Sequence, residues 1–203
     1  MNTQYRRRFG AAVSNEAGFS LLEVLVVVGL IGTLAAMAMM VSPTFLKGAR
    51  ADAGITQALD TLRLARDTAI SQRRNVRVVF VGLTAIQTVR EDIGANGAVT
   101  GTTTLRTTEF ENHMQFRVVP DVPNTPDGFS LSGATQAGAL AFGTSTTRMF
   151  TSEGSFVNQQ GDFLNGTLFL AIPGDPSSAR AITIFGPTAL IRAWRWNGRE
   201  WVE

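Results

Sequence analysis

The stretch Gly18-Phe19-Ser20-Leu21-Leu22-Glu23 opens a long apolar run that decides the fold of the amino-terminal region. No charged residue occurs from 24 to 46. At about 1.5 Å per helical residue this run reaches roughly 35 Å, enough to cross a hydrocarbon core of about 30 Å. A secretory signal has a shorter apolar segment of about 7–15 residues, with its cleavage site behind it. Here the small and polar residues come before the run, so cleavage there would leave the apolar helix on the mature protein.

Positive charge is concentrated at the amino terminus. Arg6, Arg7 and Arg8 outweigh Glu16 before the motif, whereas the whole chain has a net charge of only +2. The remainder is therefore neutral overall, which argues against a broad nucleic-acid-binding surface. A basic segment before a membrane helix predicts a cytoplasmic amino terminus. Because the chain has no cysteine, disulfide bonds, thiolate metal sites and cysteine nucleophiles are excluded.

Glu23 is an acid at the edge of the apolar run. A carboxylate inside a membrane costs about 3 kcal/mol on insertion scales, so an acid in this place is a functional candidate. The alternative is that Glu23 lies at the level of the lipid headgroups. The residue pattern alone leaves both interpretations open.

The sequence Gly-Phe-Ser-Leu-Leu-Glu-Val-Leu-Val-Val from Gly18, with its short basic leader, resembles the class III signal of type IV prepilins and type II secretion pseudopilins. The resemblance implies cleavage between Gly18 and Phe19 by an inner-membrane prepilin peptidase, followed by N-methylation of Phe19. It also implies that the Glu23 carboxylate pairs with the α-amino group of Phe19 on a neighbouring subunit. Such a pair is physically sensible, because two charges that are each costly in lipid become tolerable together.

The same resemblance implies a domain organisation and a location. Residues 1–18 would be the leader, 19–46 the transmembrane and filament-core helix, and 47–203 a periplasmic domain. The protein would span the bacterial inner membrane once and enter a pseudopilus after assembly. Its expected partners are the prepilin peptidase, other pilins or pseudopilins in a helical filament, the inner-membrane assembly platform and membrane lipid.

Many pilins have a proline near the end of the membrane segment, where the helix loosens in the filament. Pro43 lies later in the chain than that pattern, so the point where this helix loosens stays open.

Beyond Pro43 the pattern predicts an amphipathic helix followed by antiparallel strands, hence an α+β fold with a long helix packed on a sheet. Apolar side chains recur at helical spacing at Ile55, Leu59, Leu62, Ala65 and Ala69. Strands are predicted at 76–81, 85–90, 115–119, 167–172, 180–185 and 189–196. Residues 94–104 read as a loop, and 130–147 carry no clear pattern.

This order also resembles the pseudopilin domain of the GspH/FimT type. The supporting pieces are the helix end Ala65-Arg66-Asp67-Thr68-Ala69-Ile70-Ser71-Gln72, the hairpin after it, Phe150-Thr151-Ser152-Glu153-Gly154-Ser155, Ala181-Ile182-Thr183-Ile184-Phe185 and Trp196-Asn197-Gly198-Arg199. The resemblance implies a minor subunit, expected to be a minor pseudopilin of a type II protein secretion system. The alternative is a FimT-like minor type IV pilin involved in pilus assembly or DNA uptake, and a third is a signal-anchored periplasmic binding protein.

Enzymatic chemistry finds little support in the residues. His113 is the only histidine and stands in no triad or metal-ligand spacing. Glu109 and Glu111 lack companion ligands, and phosphate-loop or dinucleotide signatures are missing. We therefore expect no catalytic residue, no cofactor and no metal.

The carboxyl-terminal segment raises one further hypothesis. Arg192, Arg195 and Arg199 alternate with tryptophans, a combination that can bind DNA through phosphate contacts and base stacking. The segment resembles the basic Gly-Arg-x-Arg tail with which some FimT-like minor pilins capture DNA. Here Gly198-Arg199-Glu200-Trp201 lacks the second arginine of that tail. The interpretation we favour is a terminal strand whose tryptophans pack on the sheet and whose arginines are solvated.

Overall fold

The computed structural model describes residues 19–96, 98–129 and 138–203, without the side chains of residues 39–46. The leader 1–18, including Gly18 and the Arg6–Arg8 cluster, lies outside the described residues, as does the first part, 130–137, of the unassigned stretch 130–147. The chain divides into two compact units between Pro43 and Thr44. The predicted domain limits at residues 18 and 46 stay predictions.

Helix α1 runs over Leu21–Gln72 and includes Pro43. In the second unit one face of the helix is buried, through Ala51, Ile55, Ala58, Leu62, Ala65 and Ala69. These positions follow each other at three- and four-residue spacing, so the predicted amphipathic stripe is confirmed. The helix ends where Arg73 adopts a left-handed conformation, with φ 50°. A Schellman motif closes this end: the amide of Arg73 donates to the carbonyl oxygen of Ile70 at 3.3 Å, and the amide of Arg74 donates to that of Ala69 at 3.1 Å.

Within the described residues α1 is followed by eleven strands: β1 (Val76–Val81), β2 (Ala85–Ile93), β3 (Val99–Glu109), β4 (Gln115–Phe116), β5 (Leu140–Ala141), β6 (Met149–Phe150), β7 (Phe156–Val157), β8 (Gly166–Ile172), β9 (Asp175–Phe185), β10 (Leu190–Trp196) and β11 (Trp201–Val202). They form a five-stranded sheet in the order β3-β2-β1-β6-β7 and a six-stranded sheet in the order β11-β10-β9-β8-β4, with β5 also paired to β8. Neighbouring strands in both sheets are antiparallel. The predicted α+β fold is confirmed, with two sheets where the sequence pattern suggested one.

One apolar core joins α1 to both sheets. It contains Val76, Val78, Ile86, Phe150 and Phe156 from the five-stranded sheet, and Leu168, Leu170, Ile182, Ile184 and Ile191 from the six-stranded sheet. Arg148 lies at its margin, with its guanidinium 5.3 Å from the ring centre of Phe80 and 5.1 Å from that of Phe142. Burial lowers the pKa of Arg148, because water no longer solvates the whole charged group.

A second, smaller apolar cluster covers the other face of the six-stranded sheet. It contains Phe169, Ala171, Ala179, Ala181, Trp194 and Trp201, packed against Val119 and Val122 from the segment after β4. Alternation along β9 explains this division, because Ala179 and Ala181 point to one face while Arg180 and Ile182 point to the other. The six-stranded sheet is therefore buried on both faces.

Three predicted elements have other limits in the structure. The predicted loop at 94–104 contains the start of β3, and residues 94–98 alone connect it to β2. Its threonines are β-branched and fit a strand well, but glycine and asparagine nearby gave the stretch the composition of a loop. The predicted strand 115–119 is limited to Gln115–Phe116, and β9 begins five residues before the predicted 180.

Candidate functional site

The amino-terminal end of α1 holds two of the predicted site residues. Phe19 precedes the helix with 81% of its surface exposed, and Glu23 lies exposed in the first turn. The amide of Val24 donates to the carbonyl oxygen of Ser20 at 3.1 Å, so the helical bonding begins at this point. A carboxylate in the first turn interacts favourably with the positive end of the helix dipole, typically by about 0.3–1 kcal/mol. Glu23 therefore presents its charge one turn from Phe19.

The segment that follows is apolar on every side. Leu21–Ala38 is long and apolar enough to cross a membrane by length and composition, and among the described residues the whole of this window is exposed. Its one hydroxyl, of Thr33, donates to the carbonyl oxygen of Leu30 at 2.8 Å, so this polar group is satisfied inside the helix. A helix that is hydrophobic all round needs lipid or other helices around it.

Two of the three carboxyl-terminal arginines, Arg192 and Arg195, lie on different faces of β10. Side chains alternate between the two faces of a strand, so Arg192 points to the same face as Trp194, whereas Arg195 points to the face of Ile191. Arg199 belongs to the turn between β10 and β11, where its amide donates to the Asn197 side chain at 2.8 Å. The structure thus places Arg192 and Arg195 on opposite faces of β10, with Arg199 in the turn that follows the strand.

The tryptophans of this segment serve the second apolar cluster. Trp194 and Trp201 are each only 8% exposed. The indole N–H of Trp194 donates to the Thr183 hydroxyl at 3.0 Å, and that of Trp201 donates to the Pro123 carbonyl oxygen at 2.8 Å. Trp196 packs on Trp201 with ring centres 5.6 Å apart. The prediction that these rings pack on the sheet is confirmed.

Arg192 has an ion-pair partner that the sequence pattern did not reveal. Its Nη1 lies 3.2 Å from Oδ1 of Asp127, a carboxylate whose side chain is 9% exposed, and Thr183 donates to the other oxygen of the same carboxylate at 2.5 Å. Asp127 is followed by a glycine, a pair typical of turns, and nothing local marks it as the partner of a residue 65 positions away. A cavity of about 300 Å³ adjoins this pair, lined by Phe129, Phe185 and Leu190 as well.

The acidic residues and the histidine in the middle of the sequence lie on the surface. Glu109, Glu111 and His113 are all exposed, and His113 has a left-handed backbone with φ 63°. Across the described ranges, no group of three or more histidine, cysteine or acidic residues is placed to hold a metal ion.

Comparison with known proteins adds one finding, and it falls on the amino-terminal segment. The model of the prokaryotic N-terminal methylation motif matches residues 13–39, a stretch that includes Gly18, Phe19 and Glu23. Neither the curated proteins nor the solved structures gave a match to the chain. The motif implies processing by a peptidase and assembly with other pilins, and together with the apolar helix it fits a membrane-anchored protein. The matched motif, placed on a fully exposed apolar helix that leads into an α+β domain, supports a type IV pilin-like protein.

Proposed function

We propose that this chain is a minor pseudopilin of a type II protein secretion system, of the GspH type. The methylation motif over residues 13–39, which begins before the Gly18–Phe19 bond and ends within the apolar helix, supports the pilin-like part of the proposal. The resemblance of the domain sequence to the GspH/FimT type is what favours a minor pseudopilin. The chain would be cut after Gly18, methylated on Phe19 and held in the inner membrane with its domain in the periplasm. It would then be drawn into a short helical filament that helps to drive secretion. It acts by assembly and not as an enzyme, and ATP hydrolysis is supplied by another component.

The physical logic of assembly rests on Glu23. After cleavage Phe19 carries a free α-amino group, which is cationic near neutral pH. Its charge would lie close to the level of an exposed carboxylate on a neighbouring helix. Because a lone charge among apolar helices is costly, pairing stabilises one axial position of a neighbour over others. Repetition of such a contact with a rotation that does not close produces a helical filament.

Mass spectrometry of the mature protein tests the processing step. The full-length chain is expressed in bacteria with a prepilin peptidase, recovered from the membrane and analysed at its amino terminus. We expect a chain that starts at Phe19 and carries one methyl group on its α-nitrogen. An intact Met1 in the presence of active peptidase would overturn the proposal and support a simple signal-anchored protein.

Deletion of the gene in its host distinguishes a role in type II secretion from a role in a type IV pilus. Loss of protein secretion with intact pili supports the pseudopilin assignment. Loss of piliation or of DNA uptake with normal secretion contradicts it and supports the FimT-like minor type IV pilin. Re-expression of the full chain in the deletion strain is the control, since it must restore the lost property.

Replacement of Glu23 tests the assembly step. Glu23→Gln keeps the length of the side chain and removes its charge, so we expect normal cleavage but loss of incorporation into the filament, measured in sheared filament fractions. Glu16→Gln is the matched control, because it removes an acid from the leader that cleavage discards. Normal incorporation of Glu23→Gln would refute the role given to this carboxylate.

A further inference from the structure

Four basic side chains lie toward one end of the α+β unit, the end where the chain enters it. Lys47 and Arg50 are exposed near the start of this unit, Arg195 is exposed near the end of β10, and Arg199 is exposed in the turn that follows. Within the described residues none of the four has an ion-pair partner. The acid in the same turn is Glu200, so positive charge predominates in this group. We call these four residues the basic end.

β10 runs antiparallel to the part of α1 that belongs to this unit. Its first residue, Leu190, lines a cavity together with Arg63 of α1. Near its other end, Arg195 pairs with Arg180 of β9, and the Arg180 guanidinium forms an ion pair with Asp52 of α1. The strand therefore passes from the level of residue 63 to the level of residue 52, and the carboxylate at that level is already neutralised.

The turn between β10 and β11 extends past the level of Asp52. A strand residue advances about 3.4 Å, so two or three residues after Arg195 carry the chain about 7–10 Å farther. At about 1.5 Å per helical residue, this distance corresponds to about five to seven residues of α1. The turn that holds Arg199 therefore lies level with Lys47.

Trp196 gives this turn an aromatic ring with a free donor. The ring is partly exposed and packs on Trp201. The indole N–H groups of Trp194 and Trp201 have hydrogen-bond partners, whereas that of Trp196 has none among the residues that the structure describes. Tryptophan is enriched at membrane–water interfaces, where its apolar ring and its polar N–H are both satisfied.

The chain itself brings a lipid surface to this end. Lys47 is the first charged residue after Glu23, and the uncharged run between them overlaps the membrane-length window Leu21–Ala38. A bilayer that holds this run therefore has its boundary near Lys47, at the level of the turn that carries Arg199.

We propose that the basic end docks on the surface of anionic lipids while the protein resides in the membrane. Its guanidinium and ammonium groups bind lipid phosphates, and Trp196 lies among the headgroups. Each basic residue near an anionic surface favours such contact by roughly fivefold. The contact rests on the membrane anchoring proposed above, but it needs neither cleavage after Gly18 nor a particular filament. Entry into a filament breaks it, so the contact favours the unassembled state.

Quenching of tryptophan fluorescence by brominated lipids tests the contact. The full-length protein is reconstituted in vesicles of phosphatidylglycerol, which is anionic, or of phosphatidylcholine, which has no net charge. In both lipids the acyl chains carry bromine close to the headgroup. We expect strong quenching in phosphatidylglycerol that decreases as salt screens the charges, and weak quenching in phosphatidylcholine. Trp196→Phe should remove the quenching, because Trp194 and Trp201 are each only 8% exposed.

A pair of double variants tests the arginines. Arg195→Gln with Arg199→Gln removes two charges from the basic end. Arg63→Gln with Arg73→Gln is the matched control: both residues are exposed, Arg63 lies about 24 Å farther along α1 than Lys47, and Arg73 follows the far end of the helix. In phosphatidylglycerol we expect the first variant to lower the ratio of docked to undocked protein by roughly 25-fold, and the control to quench as the parent does.

A further double variant, Lys47→Gln with Arg50→Gln, tests the helical half of the basic end. It should reduce quenching as much as the arginine variant of the turn. All variants are compared only where they keep the circular dichroism spectrum of the parent, and the two halves of the basic end provide independent tests if one variant fails to fold.

Flotation of the vesicles tests the anchor separately from the contact. A chain that floats with neither lipid would overturn the membrane anchoring and this contact with it. A chain that floats with both lipids but is quenched equally in both, or in neither, would overturn the contact alone. Equal loss of quenching in the Arg195/Arg199 variant and in the Arg63/Arg73 control would show a general effect of charge and also overturn it. Release of quenching by added duplex DNA would assign the arginines to nucleic acid instead.

Discussion

Arg180 shows how a single residue ties the helix to the six-stranded sheet. Its side chain is 3% exposed, and it reaches the carboxylate of Asp52 on α1 with N···O distances of 2.9 and 2.8 Å. A second group of bonds runs from its Nη1 to the carbonyl oxygens of Ser177 at 3.1 Å and Ala179 at 2.9 Å. The two partners are unequal, because 51% of the Asp52 side chain remains exposed to water.

This inequality predicts an asymmetric response to mutation. Asp52→Ala leaves a buried guanidinium without its counter-ion, so we expect a loss of about 3 kcal/mol in the free energy of unfolding. Arg180→Met leaves a carboxylate that water can solvate and fills much of the space, so we expect a loss of about 1–2 kcal/mol. Urea denaturation of the full chain in detergent, followed by tryptophan fluorescence, measures both.

Asp60→Ala is the control for the pair, since Asp60 is exposed on the same helix. Its effect should stay within about 0.5 kcal/mol. A larger loss for Arg180→Met than for Asp52→Ala would contradict the account given for the unequal burial.

Single functional or buried residues could be predicted from the sequence where their own chemistry and their neighbours in the chain mark them. Phe19 and Glu23 stand out because a charge and a cleavage pattern border an apolar run, and the tryptophans could be expected to pack because large rings seek burial. Asp127 could not be found in this way. Its partners Arg192 and Thr183 are far along the chain, and only folding brings them to one carboxylate.

Among the elements, β3 is the one that composition concealed. β3 is held by main-chain pairing with β2, and a sequence rich in glycine and threonine does not predict that pairing. The pairing also positions Thr103 and Arg90, which both donate to the carboxylate of Asp92 and lower its pKa. By contrast, β1, β8 and β10 were predicted within one residue, because each alternates or runs apolar between clear turns.

Replacement of a glycine by alanine should have opposite effects on stability in β8 and in α1. A Cβ at Gly166, the first residue of β8, would overlap the buried ring of Phe142, whereas a Cβ at Gly48 in α1 meets nothing. We expect Gly166→Ala to cost about 1–3 kcal/mol of unfolding free energy through overpacking. Gly48→Ala should gain about 0.5–1 kcal/mol, because alanine is the better helix former.

Thermal unfolding of the two variants against the parent chain measures this contrast, and each variant serves as the control for the other. A stabilised Gly166→Ala would mean that the Phe142 ring moves aside at little cost. A destabilised Gly48→Ala would mean that this part of α1 meets a neighbour outside the single chain.

For the whole molecule, charge distribution argues against DNA as a partner. The chain is neutral after the leader, and Arg192 is already paired with Asp127. We expect no salt-dependent binding of full-length protein in micelles to labelled duplex DNA, measured by fluorescence anisotropy between low and physiological salt.

The double variant Arg195→Ala with Arg199→Ala is the matched test, since neither residue has an ion pair among those described. It should behave as the parent does. Binding that weakens with salt in the parent and disappears in the double variant would establish the tail as a DNA-binding element.

The uneven placement of the tryptophans has a spectroscopic consequence. All three lie on the last two strands, with Trp194 and Trp201 in the cluster on the sheet face opposite α1. Their fluorescence therefore monitors one side of one sheet, whereas far-ultraviolet circular dichroism is dominated by the helix. Because a single core joins α1 to both sheets, the two signals should change at one urea concentration. If the two signals change at different urea concentrations, the helix separates from the sheet while the tryptophan cluster is still folded.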